Sequence, residues 1–149
     1  MSDLRAALTI RRAAKQDLSP VEKLLSATNL PVEGISDHLQ NFLVAEMNRE
    51  IIGTIGLEVY ENTGLLRSAA VIPNLQNKGI GSRLLTMMLD FAKEQGVQEL
   101  FLLTTTARNY FSQKGFVPIK REQVRGNILS SSEFQGACPS TAICMRKTL

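Results

Sequence analysis

The chain has 149 residues, 44% apolar and 21% charged, with a net charge of +3, the size and balance expected of one globular domain over 1–149. No apolar run approaches the ~18 residues that span a bilayer, and Met1-Ser-Asp-Leu-Arg lacks a basic-then-apolar leader pattern, so no membrane partner and a cytoplasmic location are expected. Acidic residues are interspersed and no long Lys/Arg run occurs, so the small positive excess fits a compact phosphorylated ligand and not nucleic acid.

Leu8 to Arg12 reads as a first strand. Asp17 then caps an amphipathic helix through Val21–Leu25 that ends near Asn29 and Pro31, and a second short helix holds Ser36 to Asn41. Strands at Phe42 to Met47 and Ile51 to Tyr60 are joined by Asn48-Arg49-Glu50. A third, Leu65 to Val71, follows the turn Glu61-Asn62-Thr63-Gly64, so the three form an antiparallel meander. A symmetric closing of that turn sets Tyr60 opposite Leu65 and Glu58 opposite Arg67, on one face of the sheet.

Beyond Pro73-Asn74, Ile80, Leu84, Met87, Met88 and Phe91 recur at helical spacing, with Arg83, Thr86, Asp90 and Lys93 on the other face; Gly96 supplies the stop. Glu99 to Thr104 contains Leu100-Phe-Leu-Leu, the pattern of a strand buried on both faces and joined in parallel through the preceding helix. A helix over Thr106 to Lys114, stopped by Gly115, and strands at Phe116 to Ile119 and Ala142 to Lys147 complete the series. The expected fold is mixed α/β (α+β), with a central, mostly antiparallel sheet flanked by helices.

The segment Val71-Ile-Pro-Asn-Leu-Gln76-Asn77-Lys78-Gly79-Ile-Gly81-Ser82 puts a glycine-rich turn after a strand and directly before the best helix. Unpaired amides and the helix dipole make that position an anion site, and Gly79 and Gly81 let a pyrophosphate approach the backbone. The plainer alternative is that the glycines serve a tight turn alone. Lys78 precedes its glycine, so a Walker A loop is absent, as is the three-glycine dinucleotide fingerprint.

Gln76-Asn-Lys-Gly79-Ile-Gly81 resembles the Gln/Arg-x-x-Gly-x-Gly/Ala acetyl-CoA loop of the GNAT acetyltransferase superfamily. Ile10-Arg-Arg-Ala-Ala-Lys-Gln-Asp17-Leu and Ala107 to Phe116 resemble that family's first strand with its helix cap and its later alanine-to-Gly-Phe block. The resemblance implies acetyl-CoA as co-substrate, with no metal. It places the pantetheine arm along Ala70 and Val71 and the pyrophosphate on Gln76, Asn77, Lys78, Gly79, Gly81 and Ser82; Asn109 is separately a candidate to reach the arm, with a plain exposed helix position as the alternative. The partner it implies is a small-molecule amine acceptor. Gly56-Leu-Glu58-Val-Tyr60, Leu65-Leu-Arg67-Ser68-Ala-Ala-Val71, Leu102-Leu-Thr104-Thr-Thr-Ala107 and Cys138-Pro-Ser-Thr-Ala142 resemble more closely the arsenic-resistance N-acetyltransferases, which implies an amino-acid-like acceptor, an arsenic-containing one among the candidates. A biosynthetic amino-acid acetyltransferase of the glutamate type and a non-catalytic acetyl-CoA-binding module are the alternatives.

Glu58, on a central strand, is a candidate general base, and its alternative is an ion pair with Arg67. Arg67, with Ser68 beside it, is a candidate clamp for an acceptor carboxylate. The family's proton-donating tyrosine lies four residues before the Gly-Phe glycine, where this chain has Phe111. Tyr110 is one place earlier, a turn of roughly 100° away, which leaves Tyr110 or water as the acid. Thr104, Thr105 and Thr106 are candidates for ligand contacts or for capping the next helix. His38 reads as solvated, and Met87 with Met88 as packing. Cys138 and Cys144 are expected to be free thiols, with a shared arsenical site as the alternative. A monomer and a homodimer both remain open.

Overall fold

A computed structural model describes residues 8–149; the reading of residues 1–5 as lacking a leader lies outside the described residues. Phe42–Met47 (β2), Glu50–Tyr60 (β3) and Thr63–Val71 (β4) form the expected antiparallel meander, Leu8–Arg12 (β1) adds to it antiparallel beside β2, and Glu99–Thr104 (β5) joins β4 in parallel. Val117–Ile119 (β6) and Ile143–Thr148 (β7) finish a seven-stranded sheet in the order β1-β2-β3-β4-β5-β7-β6. Leu18–Ala27 (α1), Ile35–His38 (α2), Ile80–Glu94 (α3) and Arg108–Gln113 (α4) flank it. No helix among the described residues is long and apolar enough to cross a membrane.

The strands alternate, so each face of the sheet carries its own core. On one face Ile55, Leu57 and Leu66 pack against Leu84, Leu85, Met88 and Ala92 of α3. The buried stripe of that helix centres on Leu84, Met88 and Ala92, which turns Met87 out to 41% exposure, so Met88 packs and Met87 does not. Phe91 is half-buried, with the Arg12 guanidinium 5.0 Å from its ring centre. On the other face Phe42 and Val44 pack on Val21, Leu25, Ile35 and Leu39 from α1, α2 and the turn after it.

Farther along that second face, Leu65, Phe101 and Cys144 are covered by Val124 and Ile128. These belong to a stretch the sequence reading leaves without elements. It folds into short 3₁₀ turns at Arg121–Gln123 and Asn127–Ser130 and a π turn at Glu133–Ala137.

Asp17 does not cap α1 with its side chain as expected. Its carboxylate accepts from the Ala14 N–H at 2.7 Å and pairs with both terminal nitrogens of Arg11 at 2.7 and 3.1 Å. The Arg11 hydrogen bonds hold the Asp17 carboxyl below the usual range, so it ties β1 to the helix entry.

The β3–β4 turn is tighter than the sequence reading has it. Strand pairing begins at Tyr60 opposite Thr63, so Glu58 faces Leu65 and Gly56 faces Arg67. Between Thr54–Ala70 and Gly56–Arg67 the pairing sets one intervening residue of β3 against two of β4. This is a β-bulge, with Ser68 left-handed at φ +60. Gly56 has a steric reason to lack a side chain: a Cβ there would lie 2.3 Å from the Phe42 ring. Gly56→Ala should therefore cost about 1–3 kcal/mol, the usual penalty for overpacking. Urea unfolding checks this against Gly81→Ala, where an added Cβ meets nothing nearer than 4.0 Å and should be neutral or slightly stabilising in the helix.

Candidate active site

Strands β4 and β5 pair over Thr63–Leu65 and Glu99–Phe101 and then part. The bulge at Ser68 bends β4, and a cleft of about 700 Å³ opens between Leu66–Val71 on one side and Leu102–Thr104 on the other. Bulges recur beside functional sites because they re-aim a strand and free its backbone from pairing. Ala69 is exposed and Ala70 half-exposed, and both line the cleft.

One end of the cleft is the start of α3. Leu75, Gln76, Asn77, Gly79, Gly81 and Ser82 line it. The Gln76 amide folds back to the Val71 carbonyl at 2.9 Å and holds the loop against the strand end. Asn77 and Gly79 are left-handed, at φ 64 and 84, which turns the chain into the helix. No side chain caps the first amides of α3, and nothing lies within 4 Å of the position a Gly79 Cβ would take. Free amides, the positive end of a 15-residue helix and an open approach together suit a phosphate group. Lys78 is exposed and lies outside the cleft wall.

The other end is charged. Arg67 belongs to the wall, yet its side chain has no exposed surface. Its Nη1 donates to Glu58 Oε2 at 2.8 Å and to the Glu33 carbonyl at 2.6 Å, Nη2 to the Pro31 carbonyl at 3.1 Å, and Nε to Ser68 Oγ at 3.0 Å. The second carboxylate, Glu133 Oε2, lies 3.4 Å from Nε. Glu58 and Arg67 meet on the diagonal and not directly opposite, because the turn is shorter than expected and the strand face is unchanged.

The geometry carries the ion-pair alternative for both. Glu58 is 1% exposed and stands behind the cleft wall, its Oε1 accepting from the Tyr60 hydroxyl with His38 Nε2 3.6 Å away. His38 is therefore half-buried against Glu58 and Tyr60, not solvated. Burial, with the Glu58 hydrogen bond and charge, pushes the Tyr60 phenol above its ordinary range. Four of the five guanidinium N–H groups meet protein acceptors while Arg67 still belongs to the cleft wall, so the ion pair is the arrangement seen and a carboxylate clamp stays a proposal.

Glu133 and Cys138 also line the cleft, at 3% and 8% exposure. Burial raises the Glu133 carboxyl above the usual range, against the lowering effect of Arg67. Burial and the neighbouring Glu133 push the Cys138 thiol up to about 12. Cys144, pushed up to about 11 by burial, sits in the core with Leu65 and Phe101. The two sulfurs do not line one surface, so the shared arsenical site has no geometry here.

Tyr110 lines the cleft despite its displacement, and its hydroxyl lies 3.0 Å from Ser82 Oγ, which bridges α4 to α3. Phe111 is buried, edge-on to both Phe116 and Tyr110. Thr104 Oγ1 accepts from the Ala107 N–H at 3.0 Å in the turn before α4 and does not cap the helix's first amides, so the expected capping is not seen; Thr104 and Thr106 lie on the wall. Thr105 and Asn109 are exposed outside it.

The sequence pattern of the acetyltransferase (GNAT) family matches residues 8–116. An N-acetyltransferase of Chlorobaculum tepidum is 34% identical over 92 residues, 61% of this chain and 59% of that protein. An amino-acid acetyltransferase of Neisseria meningitidis is 26% identical over 128 residues, 80% of this chain and 29% of that protein. The chain thus spans less than two thirds of either relative. Among solved structures, N-acetylglutamate synthase from Neisseria gonorrhoeae, complexed with coenzyme A and N-acetyl-glutamate, superposes with a TM-score of 0.81 at 22% identity over 95% of this chain and 35% of that one. Rv2747 from Mycobacterium tuberculosis, in complex with CoA and NLQ, gives 0.77 at 22% identity over 95% and 99%. These two likenesses show the fold.

Removing one partner of a buried ion pair leaves a charge without compensation, so Arg67→Met, which strands two carboxylates, should cost about 3–5 kcal/mol. Glu58→Gln should cost less, because Glu133 still faces the guanidinium. The double variant should recover much of the Arg67→Met loss. Chemical denaturation of the three variants checks the order. A buried carboxyl with a raised pKa favours folding while protonated and opposes it once ionised, so the Arg67→Met shortfall should grow as pH rises.

Proposed function

Because the chain belongs to the acetyltransferase (GNAT) family, we propose that it transfers an acetyl group from acetyl-CoA directly to the primary amine of a small amino-acid-like acceptor. The observation that carries the proposal is the uncapped, glycine-opened start of α3 at one end of a cleft formed by parting strands. In this reading the α3 amides hold the pyrophosphate, the unpaired edge of β4 at Ala69–Val71 runs beside the pantetheine arm, and the acceptor enters from the Arg67–Glu133 end. Bound acetyl-CoA supplies an electrophilic thioester carbonyl. The protein's share is to position the amine, take its proton and exclude water.

Support for an amino-acid-like acceptor comes from the relatives named as amino-acid acetyltransferases and from the neighbour complexed with N-acetyl-glutamate. The buried cluster adds to it: one guanidinium between two carboxylates leaves excess negative charge where an ammonium group would arrive. An arsenic-containing amino acid is the narrower form of the proposal, supported by the four stretches that resemble the arsenic-resistance enzymes. A glutamate-type biosynthetic enzyme is the second reading, favoured by those same relatives.

Release of free CoA, measured with amino acids including glutamate, arsenical amino-acid analogues and basic peptides, tests all of these. Turnover with small amino acids and none with peptides is expected. Tight acetyl-CoA binding without release for any acceptor would instead mark a non-catalytic module. Gly81→Glu puts a carboxylate beside the proposed pyrophosphate at a position with room for it, so calorimetry should show acetyl-CoA affinity reduced at least about 100-fold in a folded protein, a loss of ~2.7 kcal/mol. Tyr110→Phe should keep most of its turnover, since water can reach and protonate the leaving thiolate at this exposed edge; a loss of about 100-fold would make Tyr110 the acid.

A further inference from the structure

We infer that Glu133, a residue of the π turn that covers the second face of the sheet, is the group that removes the proton from the acceptor's ammonium. The inference rests on the proposed acetyl transfer and assigns one of its steps. Four observations lead to it. Glu133 is a carboxylate that both lines the cleft and is buried, whereas Glu58 stands behind the wall with its oxygens taken by Arg67 and Tyr60. Arg67 sits 2.8 Å from Glu58 but 3.4 Å from Glu133, so the guanidinium fixes the second carboxylate without satisfying it.

The turn itself is the third observation. Ser132 Oγ donates to the Glu33 carbonyl at 3.0 Å, and Ser131 Oγ accepts from the Phe134 N–H at 3.2 Å, so the residues on both sides of Glu133 are tied down. Fourth, the charged and titratable groups that face Glu133 are Arg67 from β4, Glu58 from β3, Glu33 from the loop before α2 and Cys138 from its own segment. Two of the three that carry charge are carboxylates. Burial, with those two carboxylates, raises its affinity for a proton against the lowering effects of Arg67 and the Cys138 hydrogen bond, the direction a base working near neutral pH needs.

The ammonium nitrogen gives one proton to a Glu133 oxygen, and the freed lone pair forms a C–N bond with the acetyl carbonyl carbon. The C–S bond breaks with its electron pair on sulfur, and as the neutral amide forms the nitrogen gives up its second proton, which a water relays to the thiolate. Glu133 then returns its proton to solvent.

Glu133→Gln, with circular dichroism and acetyl-CoA affinity unchanged, should lower kcat/KM about 100-fold or more at pH 7 for an alkyl-amine acceptor. A weakly basic acceptor, such as an aminooxy or hydrazide analogue that is already neutral at pH 7, should restore most of the difference. A positioning role would depress both acceptors alike. A folded variant within about threefold of wild type, or equally deficient with both acceptors, overturns the inference. Should the variant not fold, the wild-type pH profile decides. With the weakly basic acceptor the acidic limb that follows the Glu133 carboxyl should vanish, and its persistence there overturns the assignment. If wild-type protein binds acetyl-CoA but releases CoA with no acceptor, the underlying transferase reading fails, a result distinct from loss in the variant alone.

Discussion

The guanidinium of Arg67 lies with no exposed surface where four separate pieces of chain converge: β3 through Glu58, its own strand through Ser68, the carbonyls of Pro31 and Glu33, and the turn carrying Glu133. Burying such an ion costs several kcal/mol unless its donors are met, and here the acceptors lie up to 66 positions from Arg67 in sequence. The ion thus sets the conditions for the second face of the sheet. The loop after α1 must approach β4 closely, and the segment before β7 must return across the strands. One end of the cleft is a by-product of the same convergence.

The periodic elements were legible in the sequence because local spacing determines them. The β2 and β5 bounds coincide with the sequence reading, and α3 begins where its apolar stripe begins. What could not be read was register. The Glu61-Asn62 turn is two residues shorter than its polar composition suggests, because Thr63 and Gly64 pair with Tyr60 and Val59. Shortening a hairpin by an even number keeps every side chain on its face. Glu58 and Arg67 therefore still meet, although the residues opposite them differ.

The stretch from Arg121 to Ala137 was illegible for a different reason: its 3₁₀ and π turns have no period to detect, and tertiary contacts alone specify them. A signal was present in Val124, Ile128 and Phe134, apolar residues spaced to cover a sheet, and all three pack in the Leu65–Phe101 cluster. Following that signal would have placed Glu133 beside an apolar anchor and so on the buried face. The phosphate end of the cleft was readable because glycine spacing and a helix start are local features. The acceptor end was not, because it is assembled from distant segments.

The exchange of aromatic residues at positions 110 and 111 follows from the same separation of local and assembled structure. Phe111 fills a core position, edge-on to Phe116 at a centroid distance of 5.5 Å, where a phenol would need a partner for its hydroxyl. Tyr110 keeps its ring at the rim, packed on Phe111, with the Lys114 ammonium 5.5 Å from its centre and its hydroxyl on Ser82. The helix therefore presents a hydroxyl to the cleft from one residue earlier, at the start of α3 and not deep between the strands. A hydroxyl anchored there is suited to closing the gap between α3 and α4, which agrees with the proposal that water is the proton donor.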